Sequence, residues 1–130
     1  MDYGAKNIGL ACCDEMGVAV RPLPSLPNRG RRDLVARLRS AVLEHGIERI
    51  VVGMPFNMDG SSGEAVRRVE RVMGYLRSEL ELPLEGMDER LSTTEAAEVW
   101  RKMSLRRQQR YRTVDSLAAA LILQRYLEES

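Results

Sequence analysis

The chain has 130 residues, 44% of them hydrophobic and 30% charged, a balance that argues against a disordered chain and suits one globular core. Twenty Lys and Arg against 19 Asp and Glu leave a net charge of +1, so any binding to a polyanion depends on where the charges cluster. A single histidine, His45, leaves almost no material for a histidine-based triad or a histidine-rich zinc site.

The first half of the chain predicts two β-rich segments, a helix and a buried strand. "MDYGAKNIGLACC" places Asp2 beside a glycine turn, and "IGLACC" is typical of a strand. Prolines at 22, 24 and 27 favour an edge segment or a loop over a central strand. Apolar residues at helical spacing predict a helix from Arg31 to a stop at His45-Gly46, and "IERIVVGMP" predicts a buried strand that ends at Gly53 and Pro55.

The second half predicts helix, strand, helix, helix. The apolar stripe of residues 64–80 indicates an amphipathic helix, and "LPLEGMDER" indicates a strand weakened by its glycine. Ser92 and Glu95 form a capping-box pattern that starts a third helix, and a fourth begins near Thr113. We therefore expect an α/β fold with a central mixed β-sheet flanked by helices, in one domain over residues 1–130.

Acidic residues stand at the ends of three predicted elements. Asp2 lies beside the first turn, Asp88 and Glu89 end a strand, and Asp115 lies in the first turn of the last helix. Carboxylates gathered at strand ends, without His or Cys, suit Mg²⁺ or Mn²⁺, and paired metals of this kind assist phosphodiester hydrolysis. Each acid also has an ordinary explanation: Asp115 would complement the helix dipole, Asp88 and Glu89 would be loop charges, and Asp2 a frayed terminus.

A basic segment, "RKMSLRRQQRYR" over residues 101–112, is typical of contact with nucleic-acid phosphates, and its tyrosine could stack on an unpaired base. A solvated helix surface explains the same residues. The glycine-containing loop "GMPFNMDGSSGE" leads into a helix N-terminus, where it could hold a phosphate or one nucleic-acid strand, or simply connect two elements. It lacks the lysine-serine ending of a P-loop, which argues against nucleoside triphosphates.

Four segments together resemble one known family. "DYGAKNIGLA", "IVVGMPFNMDGSSGE", "DERLSTTEA" and "VDSLAAALILQRYL" occur in the order and spacing of the YqgF family of pre-16S rRNA nucleases and Holliday-junction resolvase-like proteins. The similarity covers nearly the whole chain. It implies an RNase H-like fold and a nuclease site dependent on a divalent metal, Mg²⁺ or Mn²⁺.

The resemblance also implies roles for individual residues. Asp2, Glu89 and Asp115 match the metal-binding catalytic acids, although strand parity alone leaves Asp88 open as an alternative to Glu89. The remaining candidates would contact nucleic acid, and they are Lys6, Asn57, Arg90, Thr93, Thr94, Arg106, Arg107 and Arg110. Relatives carry several apolar residues before the first aspartate, so the resemblance implies a truncated first strand, a poorly held Asp2 and low activity.

The expected function is hydrolysis of structured RNA, in maturation of the 5′ end of pre-16S rRNA, by a cytoplasmic monomer or homodimer. No apolar run reaches the about 18 residues of a membrane helix, and the amino terminus lacks a signal-peptide pattern. Two alternatives stay open: resolution of branched DNA such as a four-way junction, and a nucleic-acid-binding ribosome-assembly module with little or no catalysis.

Overall fold

The computed structural model describes residues 1–14, 16–17, 19–89, 92–111 and 113–129, and the side chains of residues 92–95 lie outside that description. Along the chain the elements are β1 (Asp2–Tyr3), β2 (Asn7–Cys13), β3 (Val20–Pro27), α1 (Arg31–His45), β4 (Ile50–Met54), α2 (Glu64–Leu80), β5 (Leu84–Asp88), α3 (Ser92–Lys102), α4 (Leu105–Tyr111) and α5 (Val114–Glu129). The expected α/β architecture is confirmed.

The sheet is mixed, and Met1 joins its two halves. Strands β1, β2 and β3 are antiparallel, whereas β4 and β5 are parallel. The Met1 amino group donates to the Val51 carbonyl at 2.7 Å, and the Met1 carbonyl accepts from the Gly53 N–H at 3.0 Å. Those are the two bonds that a residue makes in a parallel ladder. The strand order is therefore β3-β2-β1-β4-β5, with the two-residue β1 in the centre.

The proline-rich segment forms an edge strand, as predicted. In β3, Pro22 lies opposite Ala11 and Pro27 opposite Asn7, and β3 pairs only with β2 among the described strands. Proline has no N–H to donate, so such a strand fits the edge of a sheet better than its interior.

Side chains of the strands alternate between two layers of helices. Ile8, Leu10, Val52 and Met54 join a buried core with residues of α1 and α2 such as Leu34 and Leu76. The intervening residues face α5: Gly9 lies under Asp115, and Gly53 lies beside Ile122. The sheet is therefore covered by α1 and α2 on one face and by α5 on the other.

The basic segment is not one continuous helix. The chain leaves α3 at Lys102 and starts a separate short helix, α4, at Leu105. The turn between them is fixed by Gln108 Nε2, which donates to the Trp100 carbonyl at 2.7 Å. Residues of α3, α4 and α5 share a second core, formed by Ala96, Leu117, Ala118, Val99, Trp100, Met103, Tyr111, Val114 and Leu121.

Candidate active site

Asp2 lies in the central strand, β1, where the backbone is hydrogen-bonded to the strands on both sides. It pairs with Gly9 of β2, and the residue before it bonds to β4. A tight turn follows, in which the Gly4 N–H donates to the Asn7 carbonyl at 3.0 Å. Met1 itself is buried. Short as it is, β1 is therefore hydrogen-bonded into both neighbouring strands, while the expectation that Asp2 is poorly held for metal binding stays a prediction.

Asp115 is brought to Asp2 by the absence of a side chain at Gly9. Helix α5 crosses β2 so closely that a Cβ at residue 9 would overlap the backbone of Asp115, coming within 3.3 Å of its Cα. Residues paired across an antiparallel ladder place their side chains on the same face, so Asp2 also faces α5. Asp2 and Asp115 are consequently close enough for the charge of Asp115 to raise the pKa of Asp2.

Glu89 reaches the same place over a second glycine. Its backbone N–H donates to the Met54 carbonyl at 3.1 Å, which extends the pairing of β4 with β5 by one residue. A Cβ at Gly53 would lie 2.5 Å from Glu89 Cδ, so the carboxyl group rests directly on that glycine. The side chain is buried, with the residue 9% exposed, and it shares a side-chain hydrogen bond with Asp2.

The alternative acid, Asp88, points to the opposite face of the sheet. It lines an open cavity of about 490 Å³ with Glu70, Met73 and Arg77 of α2. Successive side chains of a strand alternate between faces, so Asp88 and Glu89 cannot both reach α5. Of the two, Glu89 is the acid that the structure brings to Asp2.

Burial and the neighbouring charges shift the pKa values of two groups in this cluster, Asp2 and the Met1 amino group. Burial is the main cause that raises the pKa of Asp2, and the charge of Asp115 raises it further. The Met1 ammonium and the hydrogen bond from Glu89 act in the opposite direction. Burial in turn lowers the pKa of the Met1 amino group to about 6, against the attraction of Asp2 and Glu89.

The donor set suits a hard divalent cation. Three carboxyl groups provide only oxygen ligands, which Mg²⁺ and Mn²⁺ prefer, and a cation would relieve the repulsion between their charges. Within the described residues, however, no group of three or more acidic, histidine or cysteine side chains stands in the geometry of a formed metal site. Binding of a cation would therefore require these acidic side chains to rearrange.

Two further predicted residues lie in loops on the same rim as the acids. Lys6 is exposed in the turn after β1. Asn57, in the loop after β4, belongs to a compact turn: its backbone N–H donates to the Ser61 carbonyl at 2.9 Å, and its side chain donates to Ser61 Oγ at 3.0 Å. Asp59 Oδ1 in turn accepts from Ser61 Oγ at 2.6 Å. The loop is thus organised by its own hydrogen bonds.

The remaining predicted residues fall outside the site or outside the description. Arg106, Arg107 and Arg110 are exposed on α4, which ends shortly before Asp115. Arg90 is not among the described residues, and the side chains of Thr93 and Thr94 are not described either. The structure therefore brings together Asp2, Glu89 and Asp115.

Sequence reasoning missed the two glycines on which the acids rest. It interpreted Gly53 as the end of a strand, but Gly53 lies inside β4 and is buried, and Gly9 received no role. The signal was available, because an isolated glycine inside a strand pattern indicates a close approach of another backbone or side chain.

Comparison with known proteins identifies relatives along the whole chain. A family model named RuvX and described as "Holliday junction resolvase" matches residues 1–129, which confirms the resemblance drawn from the sequence, YqgF being the same family. The chain is 38% identical over 128 residues to a protein of Syntrophus aciditrophicus, covering 98% of this chain and 85% of the relative.

Two further relatives are similar to the same extent. A protein of Geobacillus kaustophilus is 39% identical over 131 residues, with 98% of this chain and 94% of the relative covered. A protein of Moorella thermoacetica is 37% identical over 128 residues, with 98% and 91% covered. All three carry the name "Putative pre-16S rRNA nuclease". Along the described chain, no helix is both long and apolar enough to cross a bilayer.

Proposed function

Since this chain belongs to the RuvX family, we propose that it is a nuclease that hydrolyses phosphodiester bonds in structured RNA, with pre-16S rRNA as its substrate. The observation that carries the proposal is the convergence of Asp2, Glu89 and Asp115, from three separate parts of the sequence, on the α5 face of the sheet. Burying acids together costs free energy that a stable fold avoids unless the arrangement has a use.

In this proposal the three carboxylates hold Mg²⁺ or Mn²⁺. The cation supplies activation of water and stabilisation of the leaving oxygen during hydrolysis. The chain's own contribution is to orient the ligands: the missing side chains at Gly9 and Gly53 let Asp115 and Glu89 approach Asp2. Partial burial of the acids limits their contact with water and strengthens their interaction with a cation.

Helix α4 and the neighbouring loops serve substrate binding. The exposed cations of α4 would contact backbone phosphates, because such contacts supply most of the affinity for nucleic acids. The preorganised turn around Asn57 lies on the same rim as the acids, where it could contact the strand that is cut. Arg90, Thr93 and Thr94 remain candidates on the basis of the family resemblance.

Branched DNA is the second candidate substrate, favoured by the description of the matching family model as a Holliday junction resolvase. Paired cuts across a junction call for two active sites, so this substrate goes with a homodimer, whereas RNA processing is compatible with a monomer.

The proposal is tested by incubating the protein with labelled pre-16S rRNA, a four-way DNA junction and single strands, each with Mn²⁺, Mg²⁺ or EDTA. We expect cleavage of the precursor RNA that EDTA abolishes and that Asp115→Asn reduces by at least about 10²-fold, as removal of a group that stabilises the transition state does. Cleavage by Asp115→Asn at the parent rate would disprove the site. Tight binding of RNA without cleavage would instead support a ribosome-assembly module.

A further inference from the structure

Two hydroxyl side chains fasten the amino-terminal turn of α5 to the sheet. Thr113 Oγ1 accepts a hydrogen bond from the Ser116 backbone N–H at 3.0 Å, which is the geometry of a helix N-cap. The Thr113 hydroxyl donates to Ser116 Oγ at 3.1 Å, and Ser116 Oγ donates to the Leu23 carbonyl of β3 at 2.7 Å. A chain of hydrogen bonds therefore runs from the cap of α5 into the edge strand.

This chain of bonds is more than a surface cap, because Ser116 is completely buried. A buried hydroxyl is tolerated only when it is hydrogen-bonded, whereas an alanine at this position would have no polar side-chain group to bury. The hydroxyl therefore contributes a directional link between α5 and the sheet, which packing by apolar groups does not provide.

The two hydroxyl residues lie on either side of a proposed metal ligand in the chain. Asp115 lies between Thr113 and Ser116 in the chain, and its backbone packs directly on Gly9, opposite Asp2. A small tilt or fraying of the first turn of α5 would therefore move the Asp115 carboxylate relative to the other two acids. The rest of α5 is held separately by its apolar contacts with the sheet and with α3.

We propose that Thr113 and Ser116 are positioning residues, which hold the backbone of Asp115 against Gly9 so that its carboxylate can join Asp2 and Glu89 around a divalent cation. The inference rests on the proposed function, because it takes Asp115 to be a ligand. Neither hydroxyl contacts the cation or the substrate. Residues that orient a metal ligand without contacting the metal typically change metal affinity by about 10- to 100-fold, and we expect an effect of this size here.

The test compares Mn²⁺ affinity with stability in matched variants. Thr113→Val and Ser116→Ala each remove one hydroxyl, whereas Thr113→Ser keeps the capping oxygen. The control is Tyr126→Phe, at the far end of the same helix and about 16 Å from Asp115 along the helix axis. That hydroxyl also makes two hydrogen bonds, since it accepts from Arg49 at 2.8 Å and donates to Glu85 at 2.7 Å.

The dissociation constant is measured from the electron paramagnetic resonance signal of free Mn²⁺, and the melting temperature is measured without metal. We expect Thr113→Val and Ser116→Ala to weaken Mn²⁺ binding by about tenfold or more. Thr113→Ser and Tyr126→Phe should stay within about twofold of the parent, even if Tyr126→Phe lowers the melting temperature. Two independent hydroxyl variants keep the test decisive if one of them does not fold.

Parent-like Mn²⁺ binding by Thr113→Val or Ser116→Ala, whatever the change in melting temperature, would overturn the positioning role. An Asp115→Asn arm separates this failure from failure of the proposed function. If Asp115→Asn weakens binding and the hydroxyl variants do not, only the positioning role is lost. If Asp115→Asn binds Mn²⁺ as tightly as the parent, Asp115 is not a ligand, and the proposed site is lost with it.

Discussion

Gly53 makes it possible to move one carboxyl group of the candidate site without changing that group. In Gly53→Ala the added methyl carbon would lie 2.5 Å from Glu89 Cδ and 2.7 Å from Ile122 Cδ1. Non-bonded carbons prefer a separation of about 3.5–4.0 Å. The Glu89 carboxyl group, the end of a flexible side chain, must therefore retreat by about 1 Å. This movement would separate Glu89 from Asp2, with which it now shares a hydrogen bond.

The expected result is a large loss of cleavage with a modest loss of stability. A displacement of about 1 Å at a reacting centre costs about 10²-fold in rate. Overpacking a core typically costs about 1–3 kcal/mol in the free energy of unfolding. The rate is measured as single-turnover cleavage of precursor RNA with Mn²⁺, and the stability is measured by urea titration.

Gly74→Ala provides the matched control for the added methyl group. Gly74 lies within α2, is exposed, and a Cβ there would meet nothing within 4 Å. This variant should cleave at the parent rate and gain about 0.5–1 kcal/mol in the free energy of unfolding, because alanine is a better helix former than glycine. A folded Gly53→Ala that cleaves as fast as the parent would refute the argument that Glu89 must lie on this glycine.

Three further predictions concern the same protein. Glu89→Gln should lose at least about 10²-fold in cleavage rate, whereas Asp88→Asn should change it by less than about threefold, because of these two acids only Glu89 faces α5. The reverse order would show that Asp88, rather than Glu89, faces α5. Neutralising the three arginines of α4, at positions 106, 107 and 110, should flatten the slope of log affinity against log salt by about two to three units on duplex nucleic acid, and an unchanged slope would remove α4 from the interface. Adding four residues with alternating apolar side chains before Met1 should raise the melting temperature and tighten Mn²⁺ binding. The added backbone can pair with β2 and β4 across the cavity of about 500 Å³ beside Met1. No change in either quantity would contradict this prediction.

Much of the architecture could be predicted from local patterns. Three such patterns are the apolar spacing of α1 and α2, the stop at Gly46 and the prolines of β3. Each involves residues only a few positions apart, so it predicts the same element in almost any fold. The glycine at 46 is left-handed, with φ of 64°, as a helix-ending glycine typically is. The boundary between α3 and α4 was not predicted, because it depends on contacts around Trp100 that only packing provides.

The candidate site shows more clearly which features follow from local sequence patterns and which depend on tertiary contacts. The residues alone identified Asp2, Asp115 and the pair Asp88-Glu89 as candidates, because residue type and place at an element end are local properties, and the family resemblance favoured Glu89. Their convergence required the tertiary structure. Which face Glu89 occupies depends on the register of β5 against β4, and how near Asp115 comes depends on the space above Gly9. Registers and close approaches are set between distant segments, and no local pattern encodes the distance between them.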